Sequence, residues 1–154
     1  MWSTRKLSGS KDNYSKVSSA PARKIFRWVL VGAWAAGIWV LSSLPDLKTD
    51  LPEDFLLRKI AHAVVFGILS LLALWAMHGN AKRKRLRFGL IGLAGLAALL
   101  YAVVDEFHQT FVPGRYGAPT DVLIDGAGIV LALALAHLFL RLAPLPKAGN
   151  IRYN

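Results

Sequence analysis

Four long apolar runs, at residues 28–44, 60–77, 88–104 and 122–140, alternate with short polar segments. Each run is apolar on nearly every position, so neither a strand alternation nor a one-sided helical stripe describes it. Continuous runs of this length predict helices surrounded by apolar material on all sides. At about 1.5 Å per residue they extend roughly 26 to 29 Å, close to the hydrocarbon thickness of a bilayer. The predicted fold is therefore all-α: a polytopic membrane protein built as a bundle of four transmembrane helices. The first run ends at Ser42-Ser43-Leu44-Pro45 and the third is expected to continue beyond its apolar part to a break at Pro113-Gly114. The first run is too long for a signal-peptide core, and Leu41-Ser42-Ser43 is a poor cleavage site, so an uncleaved span is expected.

Composition agrees: 154 residues, 55% of them apolar, suit one membrane domain and exclude an ordinary soluble one. With no cysteine, disulfides and thiolate metal sites are excluded. A net charge of +10 would suit nucleic acid, but the basic residues flank the apolar runs, which is the pattern of topology signals, and no nucleic-acid partner is expected. Residues 1–27 carry seven basic groups against Asp12 and read as a mobile cytoplasmic tail, with a lipid-binding arm as the alternative. The loop after the first run is acidic on balance, whereas the loop after the second carries Lys82, Arg83, Lys84, Arg85 and Arg87. Residues 141–154 are basic again. One topology satisfies all of this, with both termini cytoplasmic and the first and third loops external, in the cytoplasmic (inner) membrane of a bacterium. Helix packing is expected to use the small residues Gly32, Ala33, Ala36 and Gly37, then Gly89, Gly92 and Gly95, then Gly128, Ala132 and Ala136.

The chemistry concentrates between Tyr101 and Gly128. Ionisable side chains near membrane depth cost roughly 2.5 to 3.5 kcal/mol each at mid-span and less toward the ends, so a group of them is a functional candidate. At about 100° per residue, Tyr101, Asp105, Glu106, His108 and Gln109 share one arc of the third helix, opposite Val103, Val104, Phe107 and Phe111. Asp121 and Asp125 continue the small-residue stripe of the fourth helix. Lys59, His62, Ala63, Phe66 and Ser70 form a matching face on the second. With Arg115 in the third loop, the candidate site is Lys59, His62, Asp105, Glu106, Gln109, Arg115, Asp121 and Asp125, gathered at the external end.

Three blocks carry a resemblance: Lys59-Ile-Ala-His62 with Phe66 and Leu69, Asp105-Glu106-Phe-His-Gln109 with Arg115, and Asp121-Val-Leu-Ile-Asp125-Gly-Ala-Gly128. Together they resemble the signature blocks of VanZ-like membrane proteins over residues 28–140. The family often has Tyr where Phe66 stands and usually Asn where Asp125 stands. Its namesake is associated with resistance to teicoplanin-type lipoglycopeptides, so the resemblance implies an envelope protein and leaves its chemistry open.

Two functions follow from the residues. In the first, Glu106, Asp121 and Asp125 accept hydrogen bonds from sugar or amine groups while Lys59 and Arg115 pair with phosphate or carboxylate, so that the protein binds or shields a lipid-linked wall precursor or a lipoglycopeptide. In the second, paired carboxylates act as acid and base with His62 as shuttle, or carboxylates and His62 hold a divalent cation, on a phosphate-bearing envelope substrate. No spacing is diagnostic of a metal, and no cofactor motif is present. The bland alternative is that Lys59 or Arg115 neutralises Asp121 or Glu106 and knits the bundle together. A proton-coupled exporter, as a homo-oligomer, is a third class, but no broken helix or inverted repeat supports it. Trp28, Trp39 and Trp75 are expected as interfacial anchors, and His78 and His137 as packing residues at the inner ends.

Overall fold

The computed structural model describes residues 11–45, 54–79, 88–115 and 117–142. Four helices follow one another up and down: α1 (Lys11–Ser42), α2 (Asp54–His78), α3 (Phe88–Gln109) and α4 (Pro119–Leu142). All four contain a segment long and apolar enough to cross a membrane, namely Pro21–Ser42, Leu56–His78, Phe88–Gln109 and Pro119–Leu142. The segment of α3 is longer than its apolar run because Asp105, Glu106 and Gln109 are buried with hydrogen-bond partners and need not leave the helix. The all-helical, multi-pass membrane architecture expected from the runs is the architecture found.

Lys11 to Arg27 had been expected within a mobile tail, but α1 begins at Lys11. The helix runs through Pro21, which has no N–H to donate and disfavours a helix interior, so neither propensity nor apolar period announces this extension. Residues 1–10 and 143–154, together with most of the acidic first loop and the basic second loop, lie outside the described residues.

Connection and packing are unequal. α2 touches all three other helices, α2 and α4 share the largest interface, and α1 packs against α2 and α3 without reaching α4. Since the chain reverses at each loop, α2 and α4 run parallel, and both begin at the end of the bundle where α1 and α3 finish. Two hydrogen bonds pin the outlying α1: Trp34 Nε1 donates to the Val65 carbonyl at 2.9 Å and Tyr101 Oη donates to the Ala35 carbonyl at 2.7 Å. Trp39 also stacks on His108 with ring centroids 3.9 Å apart.

The small residues that allow close packing are only partly those expected. A Cβ at Gly32, Gly37, Gly89 or Gly92 would meet nothing within 4 Å, so these glycines face outward and are not packing positions. The tight seam is α2 against α4. A Cβ on Gly128 would overlap the carbonyl group of Ala63, and one on Gly67 would lie 3.2 Å from the Gly128 carbonyl oxygen and 3.3 Å from the Ala132 methyl. Along α3 the buried stripe is Ala94, Ala98 and Ala102, which a reading weighted toward glycine overlooks. Gly95 does contribute, against Leu133 and Ile129 of α4. In lipid no hydrophobic drive joins helices, so surface contact made possible by small side chains is the main source of association. Phe66 fills the centre of the bundle, fully buried, with Ser70 one turn below.

Gly128→Ala is therefore expected to lower the stability of the purified protein by about 2 kcal/mol through overpacking, read by denaturant unfolding in mild detergent. Gly32→Ala and Gly92→Ala, made in open space, should change it by less than about 0.5 kcal/mol.

Candidate functional site

Helix polarity and turns deliver the polar residues to one end of the bundle. α3 stops at Gln109, after which the amides of Thr110, Phe111 and Val112 bond to carbonyls three residues back. The predicted Pro113-Gly114 break then reverses the chain, with Gly114 at φ 79°, a conformation glycine adopts without a Cβ clash. Gly117 is equally constrained, since a Cβ there would strike the Thr110 side chain and the Glu106 carbonyl. The returning chain lays Arg115 over the C-terminus of α1. Its Nε donates to the Leu44 carbonyl at 3.0 Å and Nη2 to the Leu41 carbonyl at 3.2 Å, satisfying acceptors that a helix end leaves open and placing a cation at the negative end of the helix. Nη1 donates to Gln109 Oε1 at 3.1 Å.

That bond opens a relay running back into the bundle. Gln109 Nε2 donates to Asp105 Oδ2 at 3.0 Å, and the same oxygen accepts the Ser42 hydroxyl at 2.7 Å. Asp105 is 1% exposed, so two donors from two helices stabilise a carboxylate almost removed from solvent. Ser42 was expected only as part of a polar turn. Its part in the site has no signal in the sequence beyond lying at the same helix end.

Glu106 accepts the Ala118 N–H at 2.5 Å, immediately before α4. A carboxylate at a helix N-terminus meets both an open donor and the positive end of the dipole, so α3 caps α4. Across the seam, Lys59 of α2 forms a salt bridge with Asp121 in the first turn of α4. One turn deeper, His62 Nδ1 lies 3.7 Å from Asp125 Oδ2, in contact but beyond hydrogen-bonding distance. Asp125 is as buried as Asp105, and Asp105, Glu106 and Asp125 all act electrostatically on His62.

The eight expected residues thus meet at one end of the bundle but divide into two levels. Lys59, His62, Gln109, Arg115 and Asp121 line a cavity of about 390 Å³, to which the structure adds Arg58, Thr120 and Ile124. Asp105, Glu106 and Asp125 stand behind it, where they hold the cavity's side chains or the helices that carry them. Glu106 faces a shallower groove between α3 and the start of α4, lined also by Val103, Phe107 and Val122. Arg58 is not among the residues expected at the site. Its neighbour Lys59 marks the helix face, but nothing in the sequence shows that both reach one cavity. Among the described residues, no three His, Cys, Asp or Glu side chains converge as a metal ion would require.

The opposite end is built differently. Arg27 lies 4.8 Å from the Trp75 ring centroid, Arg141 lies 5.9 Å from that of Phe88, and Phe88 meets His137 at 5.1 Å. Cations there rest on aromatic faces. Phe107 and Phe111 are the exposed side of α3, in edge contact with each other at 5.1 Å.

The family model VanZ/LLP1 matches residues 4–140, nearly the whole chain. The protein belongs to the VanZ/LLP1 family. Comparison with curated proteins and with solved structures gives no match. The match covers all four helices, so the polar end of this VanZ/LLP1 protein lies within the family domain.

Separating the pairing of Lys59 and Asp121 from their separate effects calls for a double-mutant cycle. Lys59→Met and Asp121→Asn are each expected to destabilise the protein, and the double variant less than their sum, with a coupling of about 1 to 2 kcal/mol. Additive losses in detergent unfolding would mean that the salt bridge does not hold α2 to α4.

Proposed function

We propose that this VanZ/LLP1 protein binds the anionic polar head of a lipid-anchored envelope molecule, such as a lipid-linked wall precursor or a lipoglycopeptide, at the external face of the bacterial cytoplasmic membrane. The observation that carries the reading is the cavity at one end of the bundle, whose lining includes Arg115, Lys59, His62 and Gln109 together. Arg115 is held rigidly by three hydrogen bonds that use three of its five N–H groups, so two remain to fork onto phosphate or carboxylate. An arginine already fixed by its neighbours loses little freedom when it binds an anion. Thr120 and Asp121 offer a hydroxyl and a carboxylate to sugar or amine groups beside that anion.

The depth of the site favours a lipid-anchored ligand. The cavity lies where α1 and α3 end and α2 and α4 begin, so a head bound there can keep its hydrocarbon part in the bilayer. Orientation rests on charge: Arg27 and Arg141 mark the end opposite the cavity, and the lysine- and arginine-rich residues 82–87 follow α2 and precede α3 in the sequence. Binding of such a head would shield it from other molecules, which gives the association with glycopeptide resistance a physical form.

Orientation is testable because the chain has no cysteine of its own. Ser43→Cys, exposed beside the cavity end, is expected to react with a membrane-impermeant thiol reagent in intact cells, whereas Asn80→Cys is expected to react only after lysis. The reverse pattern would put the cavity in the cytoplasm. Ligand binding is tested with Arg115→Ala at matched membrane abundance, expected to lower affinity for a polyprenyl phosphate in nanodiscs on the order of tenfold. Unchanged affinity, with unchanged tolerance of glycopeptides and wall stress in cells, would remove the reading.

A further inference from the structure

The cations of the cavity are tied to different helices. Arg115 is held against the end of α1 by the Leu41 and Leu44 carbonyls, whereas Lys59 is held to the first turn of α4 by Asp121. Since α1 does not reach α4, the two charged heads stand on separate flanks of one cavity. A lone phosphate meets one of them. To take both it would draw a cation away from its helix and leave either the α1 carbonyls or Asp121 without a partner, a loss that offsets the second contact.

Size and charge agree. At about 390 Å³ the cavity has the volume of a site for a small organic ligand, well beyond what one tetrahedral ion fills. Its lining carries three cations, Arg58, Lys59 and Arg115, against the carboxylate of Asp121, an excess of two charges. The acceptors in that lining are already engaged: Asp121 Oδ1 by Lys59 and, at 3.4 Å, by the Thr120 hydroxyl, and Gln109 Oε1 by Arg115. The carboxylates behind it are answered from within, Asp105 by Ser42 and Gln109, Glu106 by the Ala118 N–H, and Asp125 by its contact with His62.

We infer that the site takes a ligand with two linked anionic groups, a diphosphate diester, with one phosphoryl group on Arg115 and the other on Lys59, beside Arg58. Each phosphoryl group of such a diester carries one negative charge, which matches the excess in the lining. Once the first group is bound, the second contact is intramolecular and gains from a high effective concentration. Both cations then keep the helix partners that fix them. The inference rests on the anion-binding reading above and adds to it the number of anionic groups and the link between them.

The test is equilibrium binding to the full chain in phosphatidylcholine nanodiscs at about pH 8, above the second ionisation of a phosphate monoester. The probes are farnesyl phosphate, farnesyl methyl diphosphate and dimethyl diphosphate. Each carries about two negative charges there, so net charge does not separate them. Farnesyl methyl diphosphate should bind at least about tenfold tighter than farnesyl phosphate, the gain from a second charge-assisted hydrogen bond. That ratio should fall to near one in Arg115→Ala, and likewise in Lys59→Met combined with Asp121→Asn, a double change that leaves no unpaired carboxylate. Much weaker binding of dimethyl diphosphate identifies a lipid head as the source of the diphosphate; equal binding identifies a water-soluble one. Equal binding of the two farnesyl probes to the unaltered chain, or a ratio that survives both replacements, overturns the inference while leaving anion recognition standing. If no probe binds, both fall. The comparison on the unaltered chain needs no variant, so it decides the matter even where a variant fails to fold.

Discussion

The contact on which the rest of the structure depends is the approach of α2 to α4 at Ala63 and Gly128. There is no space for a side chain between them, so the two backbones meet directly. Because the helices are parallel, this one contact sets the register of everything above and below it. Gly67 meets Ala132 a turn deeper, His62 faces Asp125 just above, and Lys59 reaches Asp121 at the mouth. In a lipid solvent such a seam is held by dispersion and by the close fit itself. A longer side chain at position 128 would part the helices and separate each of those pairs.

A second constraint is the satisfaction of helix ends. The C-terminus of α1 and the N-terminus of α4 lie together at one end of the bundle, and both expose unpaired backbone groups of opposite kind. Arg115 covers the first and Glu106 the second. The turn at Pro113 and Gly114 therefore does more than reverse the chain, because it carries the arginine onto one helix end and brings the fourth helix onto the glutamate of the third. Asp105 completes the frame through Ser42 and Gln109, joining the outlying α1 to α3. Much of the charge that looked functional in the linear chain is the means by which four helices agree on a common end. The structural pairing and the recognising cavity are two sides of one arrangement: residues behind the cavity hold those that line it.

How much of this was legible beforehand differs by residue. The spans followed from continuous apolar runs, because bilayer thickness fixes the length that must be covered. The buried arc of α3 followed from helical period, and Asp105, Glu106 and Gln109 indeed turn inward while Val103, Phe107 and Phe111 turn out. Packing residues were harder. Gly32 and Gly92 look like Gly128 in sequence, since smallness permits a close approach without stating that a neighbour is there. The beginning of α1 was missed because a polar, basic segment that contains Pro21 lacks the pattern that announces a helix.

The sequence alone determined that the chain is helical, crosses a membrane with four spans and carries the ionisable groups of its motif blocks toward one end, because span length, helical period and the energetic penalty on buried charge are local properties. Family membership was also legible in its three motif blocks. Only the tertiary structure decided which groups are partners: Lys59 with Asp121, Ser42 with Asp105, Arg115 with the end of α1, His62 before Asp125. Such pairs join residues about sixty or seventy positions apart, and their register is set by where two backbones can touch. Period and composition place a side chain on a face, whereas the partner opposite it depends on the translation of one helix along another.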